Sequence, residues 1–255
     1  MMPDITFHIQ TGYHPERMPG VLQNIVDTAN NPDALEVLIS VHENDPASHH
    51  FDHARLNIKT LVFPEEYNPP DRGDFVLQQS TGRIMMGMND DWIIHTKGWD
   101  DEIKKIYASF PDEIVLVGFN DLMFGESLFT FPFRSRRAME LIRDQIVPYQ
   151  YYRADDDVHH TYDILRRLGH DRIVYRDDII FEHNHYKIVN GKRVYAKAGV
   201  PVESNDGLFY FLLEGQRKVN ALKLAMAIDP SRAAEYNERL FSINDRLTYF
   251  KRVDK

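Results

Sequence analysis

Acidic and imidazole side chains gather in four short runs of this sequence. In MMGMNDDWIIHTKGWDDEI, an apolar stretch leads straight into Asn89, Asp90 and Asp91. Carboxylates at a strand end suit a hard cation such as Mg2+ or Mn2+, which prefers oxygen ligands and keeps positions open for phosphate and water. The plainer alternative is a surface turn, because Asn–Asp runs are turn formers. In RADDDVHHTYDILRRLG, Asp155, Asp156 and Asp157 open a helix, where carboxylates meet the positive end of the dipole. One of the three is expected to be the N-cap, and their mutual repulsion should raise at least one pKa, as a general base requires. In IIFEHNHY, His183 and His185 are two apart on a strand and share a face. That pairing suits metal ligation or a phosphate contact, or is simply a pair of half-exposed strand histidines. The run SHHFDH (His49, His50, Asp52, His53) reads as a solvated loop, since no apolar strand holds it rigid.

The elements that must position these groups follow from periodicity. DITFHIQ reads as a first strand, VLQNIVDTANN as a helix ended by Asn30, Asn31 and Pro32, and ALEVLISVHEN as a strand apolar enough to be buried on both faces. Strand, helix and strand in so short a span imply a parallel pair with a right-handed crossover. IKTLVFP predicts a third strand, FVLQQST a short helix, GRIMMGMND a fourth strand and KGWDDEIKKIYASF an amphipathic helix. EIVLVGFND predicts a fifth strand, FRSRRAMELIRDQI a helix, DDDVHHTYDILRRLG a helix closed by Gly169, and RIVYRDDIIFEHNHY one or two closing strands. From about residue 205, two amphipathic helices joined at Asp229–Pro230 read as an appendage that covers the core or forms an oligomer interface. Each acidic or histidine run follows an apolar strand or opens a helix, so all can converge on one sheet edge, where open α/β sheets bind ligands.

Composition narrows the classes. The chain has 255 residues, 43% hydrophobic and 27% charged, enough for a packed core and not the balance of a disordered chain. It has no cysteine, which excludes disulfides, thiolate metal sites and cysteine nucleophiles. A net charge of −9 disfavours sequence-independent nucleic-acid binding, which comes from Lys and Arg on phosphates. No apolar run approaches the roughly 20 residues of a membrane helix, and MMPDITFHIQ lacks the features of a signal peptide. The expected location is cytoplasmic.

These segments together resemble GT-A-fold glycosyltransferases of the broad family 2 kind, over roughly residues 4–187. ITFHIQTGYHPERMPGVLQNI is similar to the family's first strand and helix, and VLISVHENDPAS to its second strand with an acidic, nucleotide-contacting end. STGRIMMGMNDDWIIHTKGWDDEI resembles the strand ending in a DXD-type metal motif, and IIFEHNHY the strand whose terminal histidine joins the metal. The resemblance implies an α/β, Rossmann-like GT-A fold: a mostly parallel central sheet flanked by helices, over residues 1–200, with a C-terminal helical extension over 201–255. It implies that Thr11 and Tyr13, with Glu43, Asn44 or Asp45, hold the base and ribose of a nucleotide-sugar donor. Asn89 and Asp90 would contact the ribose, and Asp91, with His183 or His185, would ligate Mn2+ or Mg2+. Asp155 aligns best with the family's base, although Ala154 stands where a glutamate is usual, so the choice among Asp155, Asp156 and Asp157 stays open. Trp99 and the segment GFNDLMFGESLFTFPFRSR, with Phe119 and Asn120, would line the acceptor pocket.

The implied reaction is transfer of a sugar from a nucleoside-diphosphate sugar, UDP-sugar by family frequency, to an acceptor hydroxyl with inversion. The acceptor is a glycan or, less readily, modified DNA or protein. No membrane span is implied, and the C-terminal helices are a candidate contact for a homo-oligomer. Rival readings are a sugar-nucleotide pyrophosphorylase, against which TGYHPERMPG is short of glycines, a metal-dependent hydrolase, and an inactive nucleotide-sugar-binding module.

Overall fold

The alternating residues of Ile5–Gln10 form strand β1, whose Ile5, Phe7 and Ile9 are fully buried. Its other face carries Thr6 and His8, also buried because each finds a partner on the neighbouring strand: Thr6 Oγ1 donates to Glu36 at 2.6 Å, and His8 Nε2 lies 3.0 Å from Ser40 Oγ. A buried polar group tolerates that position only when so satisfied. The computed structural model describes residues 4–11, 14–64, 76–142, 153–184, 186–189, 192–195 and 206–243. Tyr13 and His185 lie outside the described residues.

Helix α1 (Met18–Thr28) crosses from β1 to β2 (Leu35–His42), which pairs in parallel from Ile5↔Leu35 to Gln10↔Ser40. Strand β3 (Asn57–Phe63) extends the sheet beyond β2, and residues 76–79 form the expected helical turn. Strand β4 (Ile84–Asn89) lies on the other side of β1, again in parallel. After β5 (Trp92–Ile94) come α2 (Trp99–Ala108), β6 (Leu116–Asn120), β7 (Phe133–Ser135), α3 (Arg136–Leu141), α4 (Ala154–Arg167) and β8 (Ile173–His183). A hairpin, β9 (Tyr186–Val189) with β10 (Lys192–Tyr195), precedes the C-terminal helices α5 (Asp206–Leu212), α6 (Glu214–Ile228) and α7 (Ala233–Ser242). The main sheet has the order β3-β2-β1-β4-β7-β6-β8-β5, parallel except where β7 and β5 join.

Several details depart from expectation. The stretch FRSRRAMELI is not one helix: Phe133–Ser135 is a short strand between β4 and β6, and Ser135 then caps α3 by accepting from Ala138 N at 3.0 Å. Trp92–Ile94, unassigned from periodicity, pairs antiparallel with the end of β8. The first C-terminal helix breaks at Leu213 into α5 and α6. The three acids of α4 do not cap it: the N-cap is Arg153, in the left-handed region at φ 76° with no side-chain cap bond.

Both faces of the sheet are covered. On one, β1, β2, β4 and β6 pack Phe7, Ile9, Val37 and Met86 against α1 and α2. On the other, Leu116 and Phe129 join Tyr162 and Leu165 of α4 with Leu224 and Tyr236 of the C-terminal helices, so the extension shares a core with the sheet. It leaves Leu208, Leu212 and Phe241 exposed. No helix among the described residues is long and apolar enough to cross a membrane.

Trp99 belongs to the first of these cores. It has no exposed surface, its ring lies 5.2 Å from Phe7, 6.0 Å from Phe133 and 5.4 Å from Phe181, and its Nε1 donates to Thr28 Oγ1 at 3.3 Å. The acceptor-lining role expected of it is therefore corrected to a core role. Phe119 is corrected in the same way: it is 3% exposed and packs on Phe181 at 4.6 Å. Trp99→Ala should cost about 3–5 kcal/mol of folding stability, the usual penalty for emptying so large a buried site. Chemical denaturation reads that loss.

Candidate active site

The parallel strands β1, β2 and β4 end side by side, and the candidate residues hang from their carboxyl ends. Asn89 closes β4, and Asp90 and Asp91 form the turn into β5. Asp90 is held from β1: Thr11 Oγ1 donates to its Oδ2 at 2.6 Å, and Arg17 Nη1 to its Oδ1 at 3.2 Å. Thr11 is 3% exposed, so its visible task is to orient Asp90. Arg17, at the start of α1, was not singled out among the candidates, and only its pairing across 73 residues reveals it. At the end of β2, Glu43 and Asn44 are exposed. Asp45 is buried and accepts from Ser48 Oγ, so its carboxylate anchors the loop instead of facing a donor, which corrects that assignment.

Asp91 meets His183. The antiparallel pairing sets Trp92 opposite His183, Asn184 N donates to Asp91 O at 2.9 Å, and His183 Nε2 lies 3.6 Å from Asp91 Oδ1. The imidazole is stacked on Trp92, with centroids 4.4 Å apart and planes 12° apart. An irregularity in β8 makes this meeting possible. Phe119 pairs with Arg176 but Asn120 with Ile180, so extra residues of β8 loop out and the strand turns from β6 to β5. Such a bulge redirects side chains at a site.

Asp155 approaches from the helix side. Its Oδ1 accepts from Phe131 N at 3.3 Å. Phe131 sits in the left-handed region at φ 52°, which is unusual for a bulky residue. Its ring lies over Gly87 of β4, where an added Cβ would come within 3.4 Å, and stands edge-on to Trp92 at 5.8 Å and to His183 at 6.1 Å. One residue thus spans from the Asp155 carboxyl to the Asp91–His183 end of the sheet. Removal from water pushes the Asp155 carboxyl up to about 6; the neighbouring Asp156 and Asp121 charges add to this, while the Phe131 N–H and Arg134 oppose it.

The other two acids differ. Asp156 pairs with Arg153 at 3.3 Å. Asp157 is 2% exposed and pairs with Arg217 at 2.9 Å, on the side of α4 that meets the extension. Its candidacy as the base is corrected to a buried structural pair.

Asp121, just past the end of β6, lies in the segment expected to line the acceptor pocket, but its carboxylate turns to its own loop. Its Oδ1 accepts from Met123, Phe124 and Gly125 N, at 2.9, 2.8 and 3.0 Å, and its Oδ2 from Thr130 Oγ1 at 2.7 Å. It closes the loop that delivers Phe131. Of Trp99, Phe119 and Asn120, only Asn120 keeps surface. It accepts from Leu122 N at 2.9 Å and shapes the turn that exposes Leu122 and Phe124.

Among the described residues, no group of three or more His, Asp or Glu can hold a metal alone. Asp91 Oδ1 and His183 Nε2 are donors of the kinds divalent ions take, 3.6 Å apart where two donors on one ion of about 2.1 Å bond length stand roughly 3 Å apart. The SHHFDH histidines stay in the loop, His49 Nε2 lying 3.0 Å from His42 O.

No protein-family model matches the sequence, and no curated protein does. Solved structures do. A mannosyltransferase from Pyrobaculum calidifontis, bound to GDP-mannose and Mn2+, is similar with a TM-score of 0.56 and 15% identity over 92% of this chain and 75% of its own. Residues 1–349 of S. aureus TarS with UDP-GlcNAc give 0.54 and 14% over 94% and 73%. A longer S. aureus TarS structure gives 0.50 and 13%, with 70% of this chain covering 36% of that one. This chain therefore spans about a third of that longer protein. Likeness at such identities speaks to architecture, and the architecture of this chain is the GT-A fold of those glycosyltransferases.

Proposed function

We propose that the protein is a glycosyltransferase that moves a sugar from a nucleoside-diphosphate sugar to an acceptor hydroxyl, with a divalent metal and inversion at the anomeric carbon. The observation that carries this reading is the meeting of Asp91 and His183 at the carboxyl edge of the sheet, linked through Phe131 to Asp155. Asp91 and His183 would hold Mn2+ or Mg2+, which when bound neutralises charge on a leaving diphosphate. Glu43, Asn44, Asn89 and the Asp90 held by Thr11 and Arg17 face the donor's nucleoside. Asp155, raised towards neutrality, takes the proton from the acceptor hydroxyl as it attacks from the far side of the sugar. Asn120 and the exposed Leu122 and Phe124 meet the acceptor, a glycan first.

The first test is thermal stability with UDP, GDP, CDP and ADP, each with and without Mn2+ or Mg2+, because a ligand of the native state raises the melting temperature. A metal-dependent shift with one diphosphate names the donor base and sets the sugar donors to screen. Metal-dependent turnover then separates an enzyme from a binding module. No shift with any diphosphate removes the reading, and a product of retained anomeric configuration removes its mechanism.

A further inference from the structure

The first turn of α4 has no side-chain cap of its own. Arg153 enters it in a strained left-handed conformation, no side chain caps it, and three carboxylates repel one another within it. Beside its own Arg153–Asp156 pair, the turn is held from the C-terminal extension. Arg217 of α6 is 2% exposed; its Nη1 donates to Asp157 Oδ1 at 2.9 Å and to Tyr210 O at 2.8 Å, and its guanidinium lies 4.2 Å from the Tyr210 ring centroid. The Tyr210 hydroxyl is hydrogen-bonded to His160 Nδ1, one turn further along α4, and Arg153 stacks over the same ring at 5.6 Å while pairing with Asp156. Residues two apart on a helix point to opposite sides, so Asp157 faces the extension while Asp155 faces Phe131 and the sheet edge.

We propose that Arg217 is a positioning residue for the Asp155 carboxyl: its buried pair with Asp157 seats the first turn of α4 and balances a charge two residues from the candidate base. The proposal rests on the glycosyltransferase reading only for its effect on turnover. The groups acting on Asp155 are Asp156 on its own helix turn, Asp121 and the Phe131 N–H from the loop, and Arg134 from β7; Arg153 pairs with Asp156, and Arg217 of α6 pairs with Asp157 two residues on. Removing Arg217 takes the guanidinium from a buried carboxylate two residues from Asp155, and like charge disfavours ionisation. Removing the Asp157 charge leaves the guanidinium uncompensated and does the reverse.

The test is the titration of Asp155 in the full chain labelled with carboxyl-13C aspartate, assigned by difference with Asp155→Asn. In Arg217→Met the Asp155 midpoint should rise by about half a pH unit or more, and in Asp157→Asn fall by a similar amount. The double variant, which has no charge on either side, should return close to wild type. If Arg217→Met does not fold, the downward shift in Asp157→Asn still reads the coupling. A midpoint that stays put in the folded single variants overturns the proposal, whatever their melting temperatures. Turnover provides the separate check: kcat of Arg217→Met should fall about tenfold or more with the donor KM unchanged, the signature of a displaced base. Absence of turnover in wild type with every donor, alongside the expected titration shifts, would remove the enzyme reading and leave the coupling standing.

Discussion

Asp155→Asn should lower turnover by about 10²–10⁴-fold, the range a positioned general base contributes, while leaving diphosphate binding intact. The amide keeps an oxygen to accept from Phe131 N, so the loop and its ring over Gly87 have no cause to move. Wild-type kcat/KM should rise with pH through a limb centred at about 6, where the raised Asp155 carboxyl ionises. The same shift has a consequence for stability. A carboxyl whose folded pKa lies above its unfolded value binds its proton more tightly in the native state, so it favours folding at low pH. That advantage fades as pH rises from about 4 to about 6. A displacement of about two units is worth at most about 3 kcal/mol, and the partial exposure of Asp155 brings it nearer 1–2 kcal/mol. Asp155→Asn should therefore be more stable than wild type at pH 7–8 by about that amount, with the difference vanishing near pH 4. Paired denaturation curves at both pH values measure it. A variant that loses both activity and stability at pH 8 would mean that Asp155 is a structural acid.

Asp91→Asn should abolish the metal-dependent part of any diphosphate-induced stabilisation. The Asp91 carbonyl accepts from Asn184 N and the β5–β8 pairing is backbone, so the substitution leaves the frame in place and changes the charge offered to a cation. With a diphosphate and Mn2+ at about a hundred times their dissociation constant, wild type gains about 3 kcal/mol, or roughly 5–10 °C in melting temperature for a chain of this size. The variant should keep only the increment seen without metal. An unchanged shift in Asp91→Asn would place the ion elsewhere. His183→Ala is a poorer probe, because it also removes the ring stacked on Trp92.

The comparison of acids within one motif shows where periodicity stops being informative. Asp155, Asp156 and Asp157 are adjacent, and nothing local ranks them. The ranking comes from partners 24 and 60 residues away, the Phe131 N–H for one and the Arg217 guanidinium for another. Trp99 follows the same rule. A Gly–Trp pair opening a helix fits a ligand platform or a core anchor equally well, and the aromatic rings of β1, β7 and β8 decide for the core. Arg17 carried no signal in its immediate neighbours, since it acts by reaching a strand end 73 residues away, whereas Asp121 acts within its own loop through Met123, Phe124, Gly125 and Thr130.

Hydrophobic periodicity and turn residues by themselves determined most of the order of strands and helices (the short strands β5 and β7 and the break at Leu213 excepted), the parallel β1–β2 pair, the acidic end of β4 and the acidic opening of α4, because each depends on spacing within one element. The tertiary structure alone decided that β7 and β5 join the sheet antiparallel, that a bulge carries His183 to Asp91, and that the extension clamps α4. It also decided which carboxyl is driven towards neutrality. Those outcomes depend on burial and on charges brought together from distant parts of the chain, and a carboxylate's chemistry is set by its surroundings in space.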